Sequence, residues 1–355
     1  MRQPANTGAM HRREFRHLGV AAAAGAVSFQ AGGSLLGTAR ARAQTAVKPV
    51  YRKLGRTGLN VTVVSFGAML TPEPEVIRAA IDLGVNYIDT ARRYMGGRNE
   101  EIVGKAIRGV RDKVSVATKI SAGATTRKEM FADLETSLSK LGTDRIDVIQ
   151  LHSLSNGNRA RDPEVRDVLR EMKKQGKVRF LGVTTHTNQA DVLDTVTKDE
   201  EKLFDVALVA YNFKSGPEIT SAIARAAQAG IGVVAMKTQA GGYAAAGLKD
   251  VSPHQAALKW VLNDRNVTAA IPGMKDMAML QEDLAAMNMP FTAADRDILN
   301  QYSQAVDPYY CHLCAQCEPT CPRGVAISDV NRALMYAEGY GNLPLARSAY
   351  REIQQ

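Results

Sequence analysis

The sequence predicts an α/β protein, a (β/α)8 (TIM) barrel followed by a C-terminal helical extension that contains all the cysteines. From about residue 51, short β-branched runs alternate with helical patterns eight times over about 240 residues, the size of such a barrel. The strand runs are almost continuously apolar, as expected of parallel strands buried on both faces. An open doubly wound sheet is the alternative, but "SFGAMLTPEPE" lacks its G-x-G-x-x-G turn.

The eight predicted strands follow one another regularly along the chain. Each precedes a segment with apolar residues near positions i, i+3 and i+4, the pattern of a helix that packs one face on a sheet. Several of these helices end at a glycine, such as Gly84, Gly142 and Gly230, which suits a left-handed C-terminal cap. The strands are "VTVVSFGAM", "VNYIDTA", "KVSVATKI", "IDVIQLHS", "VRFLGVTTH", "DVALVAYN", "GVVAMKT" and "VTAAIPGM".

Three segments are predicted along the chain. Residues 1–43 are expected to be a signal peptide, residues 48–290 the barrel, and residues 291–355 a C-terminal helical extension. In the extension, "PFTAADRDILNQYSQAV" predicts one more helix, and the cysteine motif at 311–322 follows it. "SDVNRALMYAEGYGN" predicts another helix, N-capped by Ser328, whose apolar face docks on the barrel.

The first segment has the pattern of an export signal. Arg12 and Arg13 precede a weakly apolar run rich in Ala and Gly, and "ARA" at 41–43 offers a small-x-small cleavage site. The run is too short and too weak to span a bilayer. It resembles a bacterial twin-arginine signal, which implies that the twin-arginine export machinery carries the folded protein to the periplasm. A disordered basic tail is the alternative.

The net charge of +9 is concentrated in this segment. Residues 1–43 contain six Arg and one Glu, a net +5, which leaves +4 for all the other residues. No basic block and no alternation of aromatic and basic residues follows. Nucleic acid is therefore not expected as a partner.

Polar side chains stand at the ends of three consecutive predicted strands. Asp89 ends the second strand, Lys119 the third and His152 the fourth, and Tyr94 lies in the loop after Asp89. One such residue alone would more often be a solvated residue at the rim. Because the catalytic groups of a barrel gather at the C-terminal ends of its strands, the four side chains are expected to converge.

Together these four residues suit the reduction of a carbonyl group, in which carbon takes a hydride and oxygen takes a proton. Tyr94 would donate the proton, although a free tyrosine has a pKa of about 10. The ammonium of Lys119 is expected to lower that pKa, and Asp89 to hold Lys119 in place. His152 would hydrogen-bond the substrate oxygen and orient it.

Three motifs, "DTARRYMGGRNEEIVGKAI", "VATKI" and "DVIQLHS", resemble the aldo/keto reductase family. The resemblance implies that Asp89, Tyr94, Lys119 and His152 form the catalytic tetrad of that family. It implies a small carbonyl compound or alcohol as substrate and a nicotinamide cofactor, NADP or NAD, extended across the barrel mouth. The cofactor-binding positions that it implies are Gly67, Thr184, Thr185, Tyr211, Met236, Lys237, Pro272, Gly273 and Lys275.

Some cofactor positions depart from the family pattern. Gly273 and Met279 stand where many NADP-dependent members have Lys and Arg, and Asp283 stands where Asn is usual. Lys275 remains close enough in sequence to meet a 2′-phosphate. The choice between NADP and NAD therefore stays open.

All four cysteines of the chain lie in one short stretch, at Cys311, Cys314, Cys317 and Cys321. Their spacing, C-x₂-C-x₂-C-x₃-C-P, is the bacterial ferredoxin pattern for a [4Fe–4S] cluster. A Cys₄ zinc site and disulfides are the alternatives. No second motif occurs, so Cys321 would bind the same cluster, or another ligand would take that place. The chain most resembles the aldo/keto reductases that carry such a C-terminal motif.

These observations predict a periplasmic oxidoreductase that interconverts a carbonyl and an alcohol by nicotinamide-dependent hydride transfer and carries a [4Fe–4S] cluster. Hydride transfer moves an electron pair, whereas the cluster moves single electrons. Either the nicotinamide is exported in bound form, or the cluster is structural; a redox-active cluster would require an electron-transfer partner. The alternative is a non-enzymatic electron-transfer or binding protein on a retained barrel.

Overall fold

The computed structural model describes residues 48–243, 252–314 and 316–353. The signal predicted for residues 1–43 lies outside them. β1 (Tyr51–Lys53) and β2 (Asn60–Thr62) form an antiparallel hairpin. The backbone N–H of Arg56, in the connecting turn, donates to the carbonyl of Gly230, which lies just before the seventh strand of the barrel. The hairpin therefore covers the N-terminal end of the barrel.

Eight parallel strands form one sheet in chain order. Parallel bridges from Val64 to Ala270 and from Gly67 to Gly273 join the first strand to the last, so the sheet closes and the predicted barrel is confirmed. The strands are β3 (Phe66–Gly67), β4 (Tyr87–Asp89), β5 (Ser115–Ile120), β6 (Ile146–Leu151), β7 (Val178–Thr185), β8 (Val206–Ala210), β9 (Gly232–Met236) and β10 (Ala269–Ala270).

Helices follow the strands and cover the outside of the barrel. They begin with proline or a capping side chain in many cases; Thr126 and Glu129, for example, form a capping box at the start of α3. The helices up to the eighth strand–helix pair are α1 (Pro74–Asp82), α2 (Asn99–Ile107), α3 (Arg127–Leu141), α4 (Asn158–Arg161), α5 (Pro163–Lys174), α6 (Gln189–Thr197), α7 (Pro217–Gln228), α8 (Pro253–Asn263) and α9 (Met277–Ala285).

Side chains along each strand alternate between the barrel interior and the helices, as the two-residue period of a strand requires. Outward residues such as Ile88, Val116 and Ile149 pack in the large cluster beneath the helices. Inward residues form a separate buried cluster that includes Tyr87, Ala117, Val148, Leu208, Ala210, Val234 and Met236.

Three more helices follow the barrel: α10 (Ala293–Val306), α11 (Ile327–Glu338) and α12 (Leu343–Ile353). α11 and α12 pack on each other, and Met69 of the barrel joins their cluster. The predicted N-cap was wrong: α11 begins at Ile327, and the Ser328 hydroxyl binds Glu318 instead. Within the described residues, no helix is long and apolar enough to cross a bilayer.

Candidate active site

A cavity of about 520 Å³ lies at the C-terminal ends of the strands. Asp89, Tyr94 and His152 line it from the barrel, and Arg332 and Tyr336 line it from α11. The site is therefore a barrel mouth that the C-terminal helices partly cover.

Lys119 and Asp89 form a buried ion pair at the floor of this cavity. Lys119 Nζ donates to Asp89 Oδ1 and to the carbonyl of Thr90, each at 2.6 Å. Gln150 Nε2 donates to the other carboxylate oxygen of Asp89 at 3.0 Å. Burial raises the pKa of Asp89 and lowers the pKa of Lys119, while their mutual attraction acts against both shifts. These partners leave the ammonium little freedom to move.

Tyr94 and His152 lie above this pair. Lys119 Nζ is 5.0 Å from the centroid of the Tyr94 ring, and the Tyr94 and His152 rings meet edge to face with centroids 6.1 Å apart. Asp89 and Lys119 lie two residues after the inward-facing Tyr87 and Ala117 on their strands, so their side chains also face the barrel interior. The structure therefore brings together the four residues predicted at the strand ends.

The protonation of the two ring residues follows from their burial. Burial, then the charge of Asp89, raises the pKa of Tyr94 well above its ordinary value. The pKa of Tyr94 is therefore raised overall and not lowered as expected, because burial outweighs the attraction of nearby cations such as Arg332, and Lys119 is itself paired with Asp89. Burial, then the charge of Lys119, lowers the pKa of His152 well below its ordinary value. At neutral pH, Tyr94 is a protonated phenol and His152 a neutral imidazole.

Six of the nine predicted cofactor positions line the cavity. Gly67 and Gly273 lie side by side where the barrel closes, and a Cβ at Gly67 would come within 2.6 Å of the carbonyl oxygen of Ile271. Only glycine fits at this position, and its lack of a side chain leaves the backbone of Gly67 and Gly273 close to the cavity. The other positions on the wall are Met236, Lys237, Pro272 and Lys275.

Three predicted cofactor positions do not line the cavity. The Thr184 hydroxyl accepts from the backbone N–H of Ser153, and the Thr185 hydroxyl donates to the carbonyl of Thr187, each at 2.8 Å. Tyr211 follows the inward Ala210 and so faces outward, where its hydroxyl donates to Asp264 at 3.0 Å. Each of these side chains therefore has a partner within the fold, and the cofactor role that the family resemblance implies for them stays a prediction.

Other side chains of the cavity wall were not predicted from the sequence. His186, directly after Thr185, lines the cavity and has a buried Nδ1 without a hydrogen-bond partner among the described residues. Thr238 and Asp283 also line the cavity with an unpartnered buried oxygen. His186 carried the same signal as His152, a polar residue at a strand end. Arg332 carried none, because only the folding back of α11 brings it to the barrel mouth.

A dinucleotide fits the chemistry of this wall. Lys275 offers a cation for a phosphate, and the Thr238 hydroxyl and Asp283 carboxyl offer unpartnered polar groups. Burial, then the charge of Glu282, raises the pKa of Asp283 well above its ordinary value. The raised pKa favours the protonated carboxyl, which can donate as well as accept hydrogen bonds.

Lys237 connects the barrel to the C-terminal helices. Its Nζ donates to the Tyr336 hydroxyl at 3.0 Å and to the Tyr340 hydroxyl at 3.5 Å, and it lies 4.3 Å from the centroid of the Tyr336 ring. Burial alone would lower the pKa of Lys237, but the nearby Tyr336 and Tyr340 outweigh this effect, so the pKa of Lys237 is raised overall. A charged Lys237 therefore holds these helices over the mouth.

The four cysteines are free thiols, so the disulfide alternative has no support. The backbone N–H of Leu313 donates to Cys311 Sγ at 3.4 Å, and backbone groups of Val325 and Arg323 lower the pKa of Cys321. Such N–H···S bonds suit thiolates that bind iron. The described part of the chain nevertheless contains no group of three or more metal-binding side chains close enough to hold a metal.

The fold and the site define a parallel (β/α)8 barrel with an acid–base constellation at its mouth. The sequence pattern of the Aldo/keto reductase family matches residues 73–247 and 243–304. The chain belongs to the aldo/keto reductase family.

Known proteins similar to this chain agree with this membership. It is 39% identical over 125 residues to the aldo-keto reductase YhdN of Bacillus subtilis, covering 31% of this chain and 36% of that protein. It is 27% identical over 242 residues to the methylglyoxal reductase YeaE of Escherichia coli, covering 64% of this chain and 84% of that protein. The match to the oxidoreductase YqkF of Bacillus subtilis, 36% identical over 151 residues, covers 38% of this chain and 48% of that protein, so the chain spans about half the length of some curated relatives.

Solved structures share the fold. An aldo-keto reductase from Bacillus halodurans in its holo form superimposes with a TM-score of 0.59 at 23% identity, covering 72% of this chain and 96% of that one. A thermostable aldo-keto reductase in complex with the inhibitor epalrestat gives a TM-score of 0.60 at 24% identity, covering 71% of this chain and 99% of that one. At this identity the likeness supports the barrel, and the chemistry must be argued from the site.

Proposed function

We propose that the protein is an NAD(P)-dependent oxidoreductase that reduces a small carbonyl compound to an alcohol and runs the reverse reaction when the alcohol is in excess. One observation carries the proposal: Tyr94, His152 and the Lys119–Asp89 pair meet at one cavity. A phenol, a neutral imidazole and a fixed ammonium are the groups that protonate and orient a carbonyl oxygen.

Each residue has a distinct part in this reaction. Tyr94 gives its proton to the carbonyl oxygen as negative charge develops there, and its raised pKa keeps that proton in place at neutral pH. His152, held neutral by burial, donates a hydrogen bond that orients the same oxygen. Lys119 stabilises the phenolate left on Tyr94, and Asp89 and Gln150 fix Lys119 in position.

A bound nicotinamide would supply the hydride. The residues that would hold the dinucleotide are the Gly67–Gly273 contact, Lys275, Thr238 and Asp283, all on the cavity wall. Met236 offers a thioether surface on which a ring can pack. Lys275 favours NADP, although NAD is the other outcome of the test that follows.

The test is a titration of purified protein with NADPH and NADH, followed by turnover with a panel of aldehydes and ketones. We expect saturable binding of at least one dinucleotide and carbonyl-dependent oxidation of it. Binding of neither dinucleotide would contradict the proposal. A second measurement uses the variant Lys275→Gln. If this side chain contacts a 2′-phosphate, the variant should lose more affinity for NADPH than for NADH.

We propose further that Cys311, Cys314, Cys317 and Cys321 bind a [4Fe–4S] cluster that stabilises the C-terminal extension. The spacing and the N–H···S bonds support this proposal. Anaerobically purified protein should be brown and contain iron and acid-labile sulfide. Cys314→Ser should lower the melting temperature together with the iron content. Turnover lost with the melting temperature unchanged would instead assign the cluster a redox role and require an electron-transfer partner.

We also propose that residues 1–43 are a twin-arginine signal and that the mature protein is periplasmic. The paired Arg12 and Arg13 and the small-x-small site at 41–43 support this proposal. A fusion of residues 1–43 to a reporter that is exported only when folded should reach the periplasm. Replacing Arg12 and Arg13 by Lys should retain it in the cytoplasm, and export of the doubly substituted fusion would count against the proposal.

A further inference from the structure

Arg332 brings a cation from the C-terminal extension to the wall of the active-site cavity. Its side chain is 14% exposed, and its Nη2 lies 2.8 Å from Asp329 one turn earlier on α11. Its Nε is buried and has no hydrogen-bond partner among the described residues. Asp329 is itself 39% exposed, so the ion pair lies toward solvent. A buried N–H without a partner costs free energy, which a ligand would recover by accepting from it.

The electrostatic surroundings of His152 and His186 are positive. The charged side chains that lower the pKa of His152 are all basic: Lys119, Arg332, Arg93 and Arg159. The charged or ionisable side chains that lower the pKa of the neighbouring His186 are Arg332, Lys237, His152 and Lys119. The cavity therefore presents a positive field beside the groups that would act on a carbonyl.

The acidic side chains on the cavity wall have partners other than Arg332. Asp89 is in contact with Lys119, and Asp276 caps α9 by accepting from the backbone N–H of Met279 at 2.9 Å. Glu282 accepts from the Ser252 hydroxyl, and Asp283 accepts from Gln239 Nε2 at 3.3 Å. Each of these four carboxyls is thus held by a partner other than Arg332, and burial favours the protonated form of Asp283.

We infer that Arg332, with His186 beside it, binds a carboxylate on the carbonyl substrate, so that the preferred substrates are oxo acids. The inference rests on the proposed reductase function and names its substrate class. The unpartnered Nε–H of Arg332 is a charged donor that a carboxylate oxygen can accept from, while Nη2 stays with Asp329. The imidazole of His186 adds a neutral donor or acceptor through its unpartnered Nδ1.

A phosphate of the dinucleotide is the other source of an anion for Arg332. The substrate is favoured because the charge of Arg332 acts on Tyr94, His152 and His186, which mark the reactive end of the cavity. Lys275 remains available for a phosphate. The two sources are separated by measuring dinucleotide affinity and substrate affinity independently in the same variants.

The first test compares 4-carboxybenzaldehyde with its methyl ester in the full chain. Arg332→Gln should raise the KM for the acid by about 10- to 100-fold, the loss expected for one charge-assisted contact, and leave the KM for the ester within about 2-fold. The KM of Arg332→Lys for the acid should lie between that of Arg332→Gln and that of the native protein. Arg347→Gln, on the exposed face of α12, is the matched control and should change neither the KM for the acid nor the KM for the ester. Equal losses for acid and ester would overturn the inference.

The second test does not depend on turnover. Terephthalate, which has a carboxylate but no reducible carbonyl, is titrated calorimetrically into native protein and Arg332→Gln, and NADPH and NADH are titrated in parallel. The inference predicts terephthalate binding that weakens about 10- to 100-fold in the variant, with dinucleotide affinity unchanged. Weaker dinucleotide binding with unchanged terephthalate binding would assign Arg332 to a cofactor phosphate and overturn the inference. Terephthalate binding without any turnover would support the anion site while contradicting the reductase function.

Discussion

Lys119 Nζ lies 2.6 Å from Asp89 Oδ1 at the floor of the cavity, and the two side chains are 1% and 3% exposed. A charge removed from water to this degree is tolerated only when it is paired and hydrogen-bonded. The carbonyl of Thr90 and the amide of Gln150 complete the set. The pair therefore determines both the stability of this end of the barrel and the position of the charge beneath Tyr94.

Removing either partner of this ion pair is expected to cost stability as well as activity. Lys119→Met and Asp89→Asn each leave one buried group unpaired, with an expected loss of about 3–5 kcal/mol in the free energy of unfolding. Urea denaturation measures the loss, and turnover of a carbonyl substrate at full saturation measures the activity. Lys113→Met, at an exposed position, is the control and should change neither. A Lys119→Met protein as stable as the native one would contradict this account of the pair.

The buried carboxyl of Asp283 predicts a pH-dependent stability. Its pKa is raised in the folded state, so the folded protein holds a proton that the unfolded chain releases above about pH 4. Stability is therefore lost as pH rises from there toward the folded pKa. Asp283→Asn, which keeps a neutral polar group, should gain stability relative to the native protein as pH rises through this window.

The measurement is urea denaturation of Asp283→Asn and native protein from acid to neutral pH. The control is Asp297→Asn, the same substitution on an exposed face of α10. A stability difference for Asp283→Asn that is the same at every pH would mean that folding does not raise the pKa of this carboxyl.

Gly339 is a steric contact between α11 and the barrel. A Cβ there would come within 2.2 Å of the carbonyl oxygen of Gly241, a backbone atom that cannot move alone. Gly339→Ala should therefore displace the end of α11 and cost about 1–3 kcal/mol, the range for overpacking. Glu338→Ala, one residue earlier and exposed, is the control. Limited proteolysis should cleave the C-terminal helices faster in Gly339→Ala, and equal cleavage rates would contradict this contact.

The sequence predicted the barrel and the convergence of its strand-end polar residues because both depend on local patterns. Apolar β-branched runs mark buried parallel strands, and a polar residue that ends such a run must lie at the barrel mouth. Asp89, Lys119 and His152 each have this pattern, and the structure places them together. His186 has it too and could have been found in the same way.

Other features depend on contacts that no local pattern records. Tyr211 faces outward because the alternation of β8 continues one residue past its end. Arg332 and Tyr336 reach the cavity only because α11 folds back over the barrel, where Lys237 holds it. α12 was not predicted at all, although the residues from Leu343 onward have the apolar spacing of a helix that packs on a neighbour.

The central claim is that Tyr94 protonates a carbonyl oxygen while hydride reaches its carbon. The most direct test is mass spectrometry of the alcohol formed from 4-carboxybenzaldehyde with dinucleotide deuterated at the transferable position, in native protein, Tyr94→Phe and the exposed control Tyr350→Phe. Native protein and Tyr350→Phe should form alcohol with one deuterium on the former carbonyl carbon. Tyr94→Phe should bind the dinucleotide equally well but form this alcohol about 10²- to 10⁴-fold more slowly. Deuterated alcohol formed at the native rate by Tyr94→Phe would contradict the claim.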